Sequence, residues 1–469
     1  MDKTRPTIAA IATPTGSGGI GIIKISGARA SHIAERLFRR VRSKTGERVS
    51  IPEEKWETHR FYYGHIVDPD TRQMIDEVMI VLMRGPRSYT REDVVEIHLH
   101  SGSAVLRAVL ERVLDSGAVL AEPGEFTKRA FLNGRIDLTQ AEGIIDLIHA
   151  RTDRSREIAA VQVRGEMAER IAAIRREMLE ILAELEGAID FPDEVDDDLD
   201  FIGISNRLQI EVIHPLSRLI EQSKSGRLLR DGLKVIIAGK PNVGKSSLMN
   251  RLMGTERAIV TPIPGTTRDT IEDSAFIQGI PVVFTDTAGL HDTQDPIERI
   301  GIDRAHASIQ DADLLLWVTE AHVPITKEDF GLVELFKNQK MIWVANKSDL
   351  LSQSDSIDFP ERYAAIPRLL VSAKENKGID SLKNEITNMC IRSEFIAENP
   401  IVPNLRQKVC IESGYRHAKA AAEGLKTEMP PELLAIDLQA ALDALGEVIG
   451  ITFREDILDR VFSRFCIGK

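Results

Sequence analysis

Gly239-Lys-Pro-Asn-Val-Gly-Lys-Ser246 follows directly on the apolar, β-branched run Lys234–Ala238. A strand that runs into a glycine-rich turn closed by Lys-Ser has the pattern of a phosphate loop. Its backbone N–H groups wrap a β-phosphate, Lys245 reaches the β/γ oxygens, and the Ser246 hydroxyl holds Mg²⁺. Such a turn also arises for packing reasons alone, so its neighbours decide the reading. Three further stretches follow in order: Pro264-Gly-Thr-Thr-Arg-Asp269, Asp286-Thr-Ala-Gly289 and Asn346-Lys-Ser-Asp349. The runs Pro281–Thr285 and Met341–Ala345, both of strand character, precede the last two. The Asp349 carboxylate accepts from the N1–H and exocyclic amine of guanine, groups that adenine does not present there. The ordered set implies an α/β GTPase module.

Within that module the expected nucleotide contacts form four groups. The phosphate loop supplies Asn242, Val243, Gly244, Lys245, Ser246 and Ser247, and the second stretch Thr261, Pro262, Ile263, Pro264, Gly265, Thr266 and Thr267. The third supplies Asp286, Thr287, Ala288 and Gly289. The base side supplies Asn346, Lys347 and Asp349, with Ser372, Ala373 and Lys374 beyond them.

Two positions depart from the common plan. Leu290 stands where Ras-like GTPases use a glutamine to orient the attacking water, and leucine cannot do so. Glu298, in the stretch Asp295-Pro-Ile-Glu298-Arg-Ile, offers a carboxylate for that work, directly or through a bridging water. An ion pair of Glu298 with Arg299 or Arg304 is the competing reading. Asn242 puts a side-chain carbonyl inside the phosphate loop. With carbonyls from Thr261–Thr267 it suits a monovalent cation, and K⁺ held by Asn242, Thr261, Ile263 and Thr266 would neutralise developing charge as an arginine finger does. Thr267 then joins Ser246 on Mg²⁺, and Thr266 stands near the nucleophile as a second catalytic candidate beside Glu298.

The chain has 469 residues, too many for one compact core. Hydrophobic content of 43% and charged content of 28% are those of a soluble globular protein, and the formal net charge of −12 argues against broad non-specific affinity for nucleic acid. No apolar run approaches the roughly 20 residues that span a bilayer, and Met1–Pro6 has no apolar signal core, so a cytoplasmic location without membrane contact is expected. Cys390, Cys410 and Cys466 form no Cys-x-x-Cys pair, so no disulfide frame or zinc site is indicated.

Around the GTPase module, expected over 231–385, composition marks three other zones. Residues 1–118 mix β-branched runs (Ile20–Ile25, Glu77–Leu82, Val94–His98) with one helical stretch, Ala104–Leu114, and read as a small α+β domain. Residues 119–230 turn helical: Met167, Ile171, Ile174, Met178, Ile181 and Leu185 recur at intervals of three and four, up to Phe191-Pro192. Helical spacing resumes over 386–469 with Leu438, Leu442, Leu445 and Ile449, which suggests a GTPase module inserted into a helical domain. The acidic run Asp193–Asp200 reads as a metal site or as a solvated loop after a helix.

With these residues in hand the chain resembles the MnmE (TrmE) family of tRNA-modification GTPases over nearly its full length. Outside the GTPase motifs the likeness rests on Ala12–Gly21, Ser88-Tyr-Thr-Arg-Glu-Asp93, Pro123–Asn133 and the terminal Phe465-Cys-Ile-Gly-Lys469. The resemblance implies an N-terminal domain of the tetrahydrofolate-binding type that also forms a homodimer. It implies a helical domain from central and C-terminal segments, with the Ras-like P-loop module inserted. The implied work is done with a flavoprotein partner, MnmG (GidA): an aminomethyl or carboxymethylaminomethyl group is installed at C5 of the wobble uridine (U34) of certain tRNAs. The carbon would come from 5-formyl- or 5,10-methylene-tetrahydrofolate, and hydrolysis would be stimulated by K⁺. The family's catalytic glutamate falls on Glu298 and its K⁺-binding asparagine on Asn242. Its folate contacts fall on Lys24, Glu96, Arg135 and Lys469.

Cys466, three residues from Lys469, reads either as a nucleophile or base near the folate or as a small buried anchor for the tail. A ribosome-assembly or translation switch, which binds RNA and modifies nothing, is the alternative function; such proteins usually carry a basic appendage, and neither flank here is basic.

Overall fold

A computed structural model describes residues 5–14, 16, 18–41, 48–52, 55–150, 152–190, 200–254, 273–277, 280–286, 312–326, 329–330, 334, 339–351, 363–390, 401–453 and 455–469. Among these, the β-branched runs at the start of the chain become β1 (Ile8–Ile11), β2 (Ile20–Ser26), β3 (Phe38–Val41), β4 (Arg48–Val49), β5 (Phe61–Val67), β6 (Met74–Met83), β7 (Val94–His100) and β8 (Val119–Leu120). They form one sheet in the order β4-β3-β5-β6-β7-β2-β1-β8. Pairing is antiparallel except between β1 and β8.

The period of two along each strand sends alternate residues to opposite faces. Ile23 and Ile25 of β2, Ile80 and Leu82 of β6, and Val95 and Ile97 of β7 share one core with Ile33 and Leu37 of the helix Ala30–Leu37 and with Leu106, Val109 and Val113 of the helix Ser103–Asp115. The intervening residues occupy the other face, where register sets Lys24 against Glu96 and Ile22 against His98. At the β1 edge that second face is covered: Phe126 of the helix Glu125–Leu132 packs on Ile8 and Ala10, with Tyr89 beside it. The C-terminal helix Glu455–Phe462 joins the same region through a core of Phe131, Leu138, Ala141, Leu458, Val461, Phe462 and Phe465.

This sheet and its helices belong to a compact unit of residues 1–145, 162–175 and 442–469; a second unit comprises 146–161 and 176–441. The long helix expected from Met167 to Leu185 runs Glu166–Asp190, and that expected around Leu438–Ile449 runs Pro431–Ile449. In the second unit the helix Leu405–Lys426 packs on His214–Asp231. It opens with a capping box, in which the Asn404 side chain accepts from Gln407 N and the Gln407 side chain accepts from Asn404 N.

The second unit also holds β9 (Leu233–Ala238), β10 (Asp273–Ile277), β11 (Ile280–Asp286), β12 (Leu314–Glu320), β13 (Met341–Asn346) and β14 (Arg368–Leu370), in the order β10-β11-β9-β12-β13-β14. All pairs are parallel except β10 with β11. Both faces are covered, which is why Leu314–Val318 and Met341–Asn346 are buried at every residue and show no alternation. Leu248 and Leu252 of the helix Lys245–Met253, with Leu382 and Ile386 of the helix Ile379–Cys390, fill one side. Trp317, Trp343, Phe330 and Tyr363 fill the other. The chain leaves β9 for β11 on one side and returns to β12 on the other, so the crevice at the carboxyl ends of these strands is the place for a ligand. No helix among the described residues is long and apolar enough to cross a membrane.

Candidate functional site

The loop between β9 and the helix Lys245–Met253 stands at that crevice. Asn242 (φ 65°) and Gly244 (φ 94°) both take the left-handed conformation, which turns successive N–H groups to one side. A Cβ on Gly244 would lie 2.3 Å from Asn346 Nδ2, and one on Gly239 would lie 2.1 Å from the Val318 carbonyl oxygen. Glycine is therefore required at both ends of the loop. Lys245 Nζ donates to the carbonyls of Gly239 and Lys240, each at 2.9 Å, and so lies folded across the loop it serves. Asn242, Ser246 and Ser247 are exposed at its mouth.

The base side is assembled from the ends of β13 and β14. Asn346 is 2% exposed; its Nδ2 donates to Val243 O at 2.9 Å and its Oδ1 accepts from Ala373 N at 3.1 Å. Ser372 Oγ donates to Asp349 Oδ1 at 2.6 Å, and this hydroxyl holds the Asp349 carboxyl below the usual carboxylate range. The loop after β14 is closed by reciprocal backbone bonds between Ser372 and Lys377. Lys347 stands at φ 61° with its ammonium on Glu320. Thus Asn242–Ser247, Asn346, Lys347, Asp349 and Ser372–Lys374 are gathered around one crevice. Asp286 ends β11 beside β9, in register with Ile237. Thr261–Thr267, Thr287–Leu290 and Glu298 lie outside the described residues.

A second constellation lies in the first unit, on the covered part of the sheet. Lys24 Nζ is 3.6 Å from Glu96 Oε1, and it stands 5.4 Å from the Tyr89 ring centroid and 5.6 Å from that of Phe126. Burial lowers the Lys24 pKa; Glu96 opposes that shift and Lys469 adds to it. Arg135 caps the same Tyr89 ring at 4.7 Å and donates to Tyr89 O at 3.1 Å. The tail reaches this place because Phe126 N donates to Lys469 O at 3.2 Å and Phe465 stacks on Phe462 with centroids 5.8 Å apart. Lys24, Glu96, Arg135 and Lys469, far apart in sequence, therefore converge around Tyr89 and Phe126. Cys466 is exposed, so the tail is anchored by Phe465 and not by a buried cysteine.

Residues 7–135 match the family model of the GTP-binding protein TrmE N-terminus, and residues 138–466 that of the MnmE helical domain. The tRNA modification GTPase MnmE of Symbiobacterium thermophilum is 44% identical over 470 residues, spanning 99% of each chain. That of Desulforamulus reducens is 41% identical over 468 residues, again 99% of each. The chain belongs to the MnmE family. Among solved structures, the G domain of the T. maritima FeoB iron transporter is similar to 34% of this chain and 99% of its own at 28% identity, with a TM-score of 0.26.

In this MnmE-family chain several site residues carry no short motif of their own. Tyr89 and Thr127, whose hydroxyls are bonded at 2.9 Å, and Phe126 form the floor under Lys24 and Arg135. All three sit inside the stretches Ser88–Asp93 and Pro123–Asn133, which mark the MnmE family without saying which member touches what. The loop carrying Tyr89 is pinned from behind: Ser26 Oγ meets Thr90 Oγ1 at 2.7 Å, Arg129 pairs with Glu92 at 3.1 Å, and Asn133 Nδ2 donates to Thr90 O at 2.6 Å. Arg129 is 4% exposed, and a buried cation of this kind is held by several acceptors at once: Glu92, Glu125 and Pro6 O.

Proposed function

We propose that this chain hydrolyses GTP and that hydrolysis serves modification of the wobble uridine of tRNA, in the cytoplasm, with a reduced folate as carbon donor. The observation that carries the folate half is the gathering of Lys24 and Arg135 on the Tyr89 ring, with Glu96 paired to Lys24 and Lys469 held at Phe126 beside them. A pterin presents two adjacent N–H donors along one edge, as guanine does, and the Glu96 carboxylate is an acceptor for that edge. The glutamyl end of a folate is anionic, and Lys24, Arg135 and Lys469 supply the cations. Tyr89 and Phe126 supply aromatic surface.

In the crevice of the second unit, Asp349 reads guanine while Gly244, Lys245 and Ser246 hold phosphate. The oxygen donors Ser246 and Thr267 suit Mg²⁺. The amide oxygen of Asn242, exposed at the loop mouth, suits K⁺ together with Thr261, Ile263 and Thr266. A monovalent cation there neutralises charge that develops on the phosphates. Glu298, beyond the missing glutamine at Leu290, orients the attacking water in this reading, with Thr266 as the second catalytic candidate. Homodimer formation through the N-terminal unit and association with a flavoprotein of the MnmG (GidA) type complete the proposal. Cys466, whose exposure supports a chemical role over a buried anchor, acts in this reading as nucleophile or base near the folate.

Mass spectrometry of wobble nucleosides from cells lacking the protein tests the whole reading: U34 modification should be lost, and unchanged U34 sinks it. Hydrolysis assayed in K⁺ and in Na⁺ tests the cation; equal rates remove it. Titration of 5-formyl-tetrahydrofolate into wild type and Glu96→Gln tests the folate site, with binding expected only in wild type.

A further inference from the structure

Arg251 is the seventh residue of the helix that begins at Lys245, roughly 9 Å along the helix axis from it. Its side chain is spent on another segment. Nε donates to Ala373 O at 2.7 Å and a terminal nitrogen donates to Lys374 O at 3.1 Å. These two carbonyls belong to the loop whose other polar groups face the base side: Ala373 N bonds Asn346 Oδ1, and Ser372 Oγ bonds Asp349. A guanidinium presents its donors in a rigid plane, so a grip on two successive carbonyls fixes the pitch of the loop and not only its distance.

We propose that Arg251 is a positioning residue for guanine recognition, holding the Ser372–Lys374 loop to the helix that binds phosphate. The proposal rests on the reading of that loop, with Asp349, as the guanine-binding edge of the site. Both bonds of the Arg251 guanidinium go to backbone carbonyls of the loop. Arg251 acts through the loop, whose Ser372 hydroxyl and Ala373 N–H keep Asp349 and Asn346 in place while the two carbonyls behind them are held. The second tie between the two halves is Asn346, which joins Val243 O to Ala373 N. Arg251 and Asn346 thus grip Ala373 from opposite ends of one peptide neighbourhood, and a movement of the phosphate helix reaches the base through both.

The test compares fluorescent GDP and ADP on the full-length protein by stopped flow. A charge-assisted pair of bonds on a solvent-facing residue is worth about tenfold in affinity. Arg251→Gln and Arg251→Ala should release GDP about tenfold faster and leave ADP, which uses the phosphate loop alone, unchanged, so that the GDP/ADP preference falls by the same factor. Arg251→Lys, a point charge without the planar fork, should recover only part of it. An unchanged GDP off-rate in a variant with wild-type circular dichroism overturns the proposal. So does equal weakening of GDP and ADP, which would place the role on the phosphate side. If Arg251→Ala fails to fold, Arg251→Gln, which keeps stem and polarity, carries the comparison. Asp349→Asn separates the proposal from the reading beneath it by exchanging preference for GDP to preference for XDP. No exchange sinks the guanine reading, whereas exchange with an inert Arg251 sinks this proposal alone.

Discussion

Asn346 ties Val243 to Ala373 across the crevice, donating to Val243 O at 2.9 Å and accepting from Ala373 N at 3.1 Å. It is almost wholly buried, and so are both partners. Its first role is therefore to join phosphate loop and base loop into one rigid piece. Asn346→Ala leaves a buried carbonyl and a buried N–H without partners, at a cost of about 2–4 kcal/mol. We expect a lowered melting temperature without nucleotide and a loss of GDP affinity of at least about a hundredfold, read by equilibrium fluorescence. Near-wild-type affinity would show that the two loops hold their places independently.

Ser372 governs Asp349 in a different way, through charge. Its hydroxyl bond is the largest cause holding the Asp349 carboxyl below the usual range. A carboxyl with a depressed folded pKa keeps its contribution above its ordinary pKa of about 4 and loses it as pH falls through the depressed value. Ser372→Ala moves that loss upward in pH. GDP binding should weaken about threefold to tenfold at neutral pH, and the acid limb of its pH profile should begin at higher pH than in wild type. Superimposable acid limbs would rule the hydroxyl out as the cause.

The GTP crevice was legible in the sequence because its chemistry is contiguous. Lys245 and Ser246 are adjacent, Asn346 and Asp349 are three apart, and the strands before them announce themselves by unbroken apolar runs. Arg251 was not legible, since a guanidinium that grips two backbone carbonyls needs no particular residue type at Ala373 or Lys374. The N-terminal constellation was legible only through family likeness. Lys24, Glu96, Arg135 and Lys469 come from a strand pair, a turn and a tail, and β pairing brings the first two together only once register is known. Tyr89 and Phe126 read as ordinary apolar residues of a loop and a helix until Lys24 is found above them.

Lys24 carries a pH signature of its own. Burial is the largest cause of its lowered pKa, with Lys469 contributing, so its charged form is disfavoured in the folded unit. Between the lowered folded value and the ordinary value of about 10.4, the unfolded chain binds more protons, and stability rises with pH across that window. Affinity for an anionic folate moves the opposite way, because the cation is lost there. Binding of 5-formyl-tetrahydrofolate should therefore weaken at alkaline pH below the ordinary lysine range. Lys24→Arg, always charged, should flatten the profile even if it binds less well at neutral pH. A flat wild-type profile would mean that Lys24 makes no ionic contact with the ligand.

The tail offers the sharpest separation of the two chemistries. Gly468 stands at φ 93°, and a Cβ there would meet Ile11 O at 2.5 Å and Ala12 Cα at 2.8 Å. Those are backbone atoms at the end of β1, which cannot yield as a side-chain tip does, so in Gly468→Ala it is the tail that moves. Lys469 then leaves its place at Phe126 N, and the cation it presents beside Lys24 goes with it. Strain of this kind is of order 1–3 kcal/mol, which a unit with this much buried surface absorbs without unfolding. We expect folate affinity to fall more than about tenfold while GTP hydrolysis stays within about twofold of wild type, since every residue assigned to that reaction lies in the other unit. Ile467→Ala serves as the comparison, because Ile467 is half exposed and its truncation leaves the backbone free to hold its course. If Gly468→Ala binds folate as tightly as Ile467→Ala, Lys469 is not part of the site.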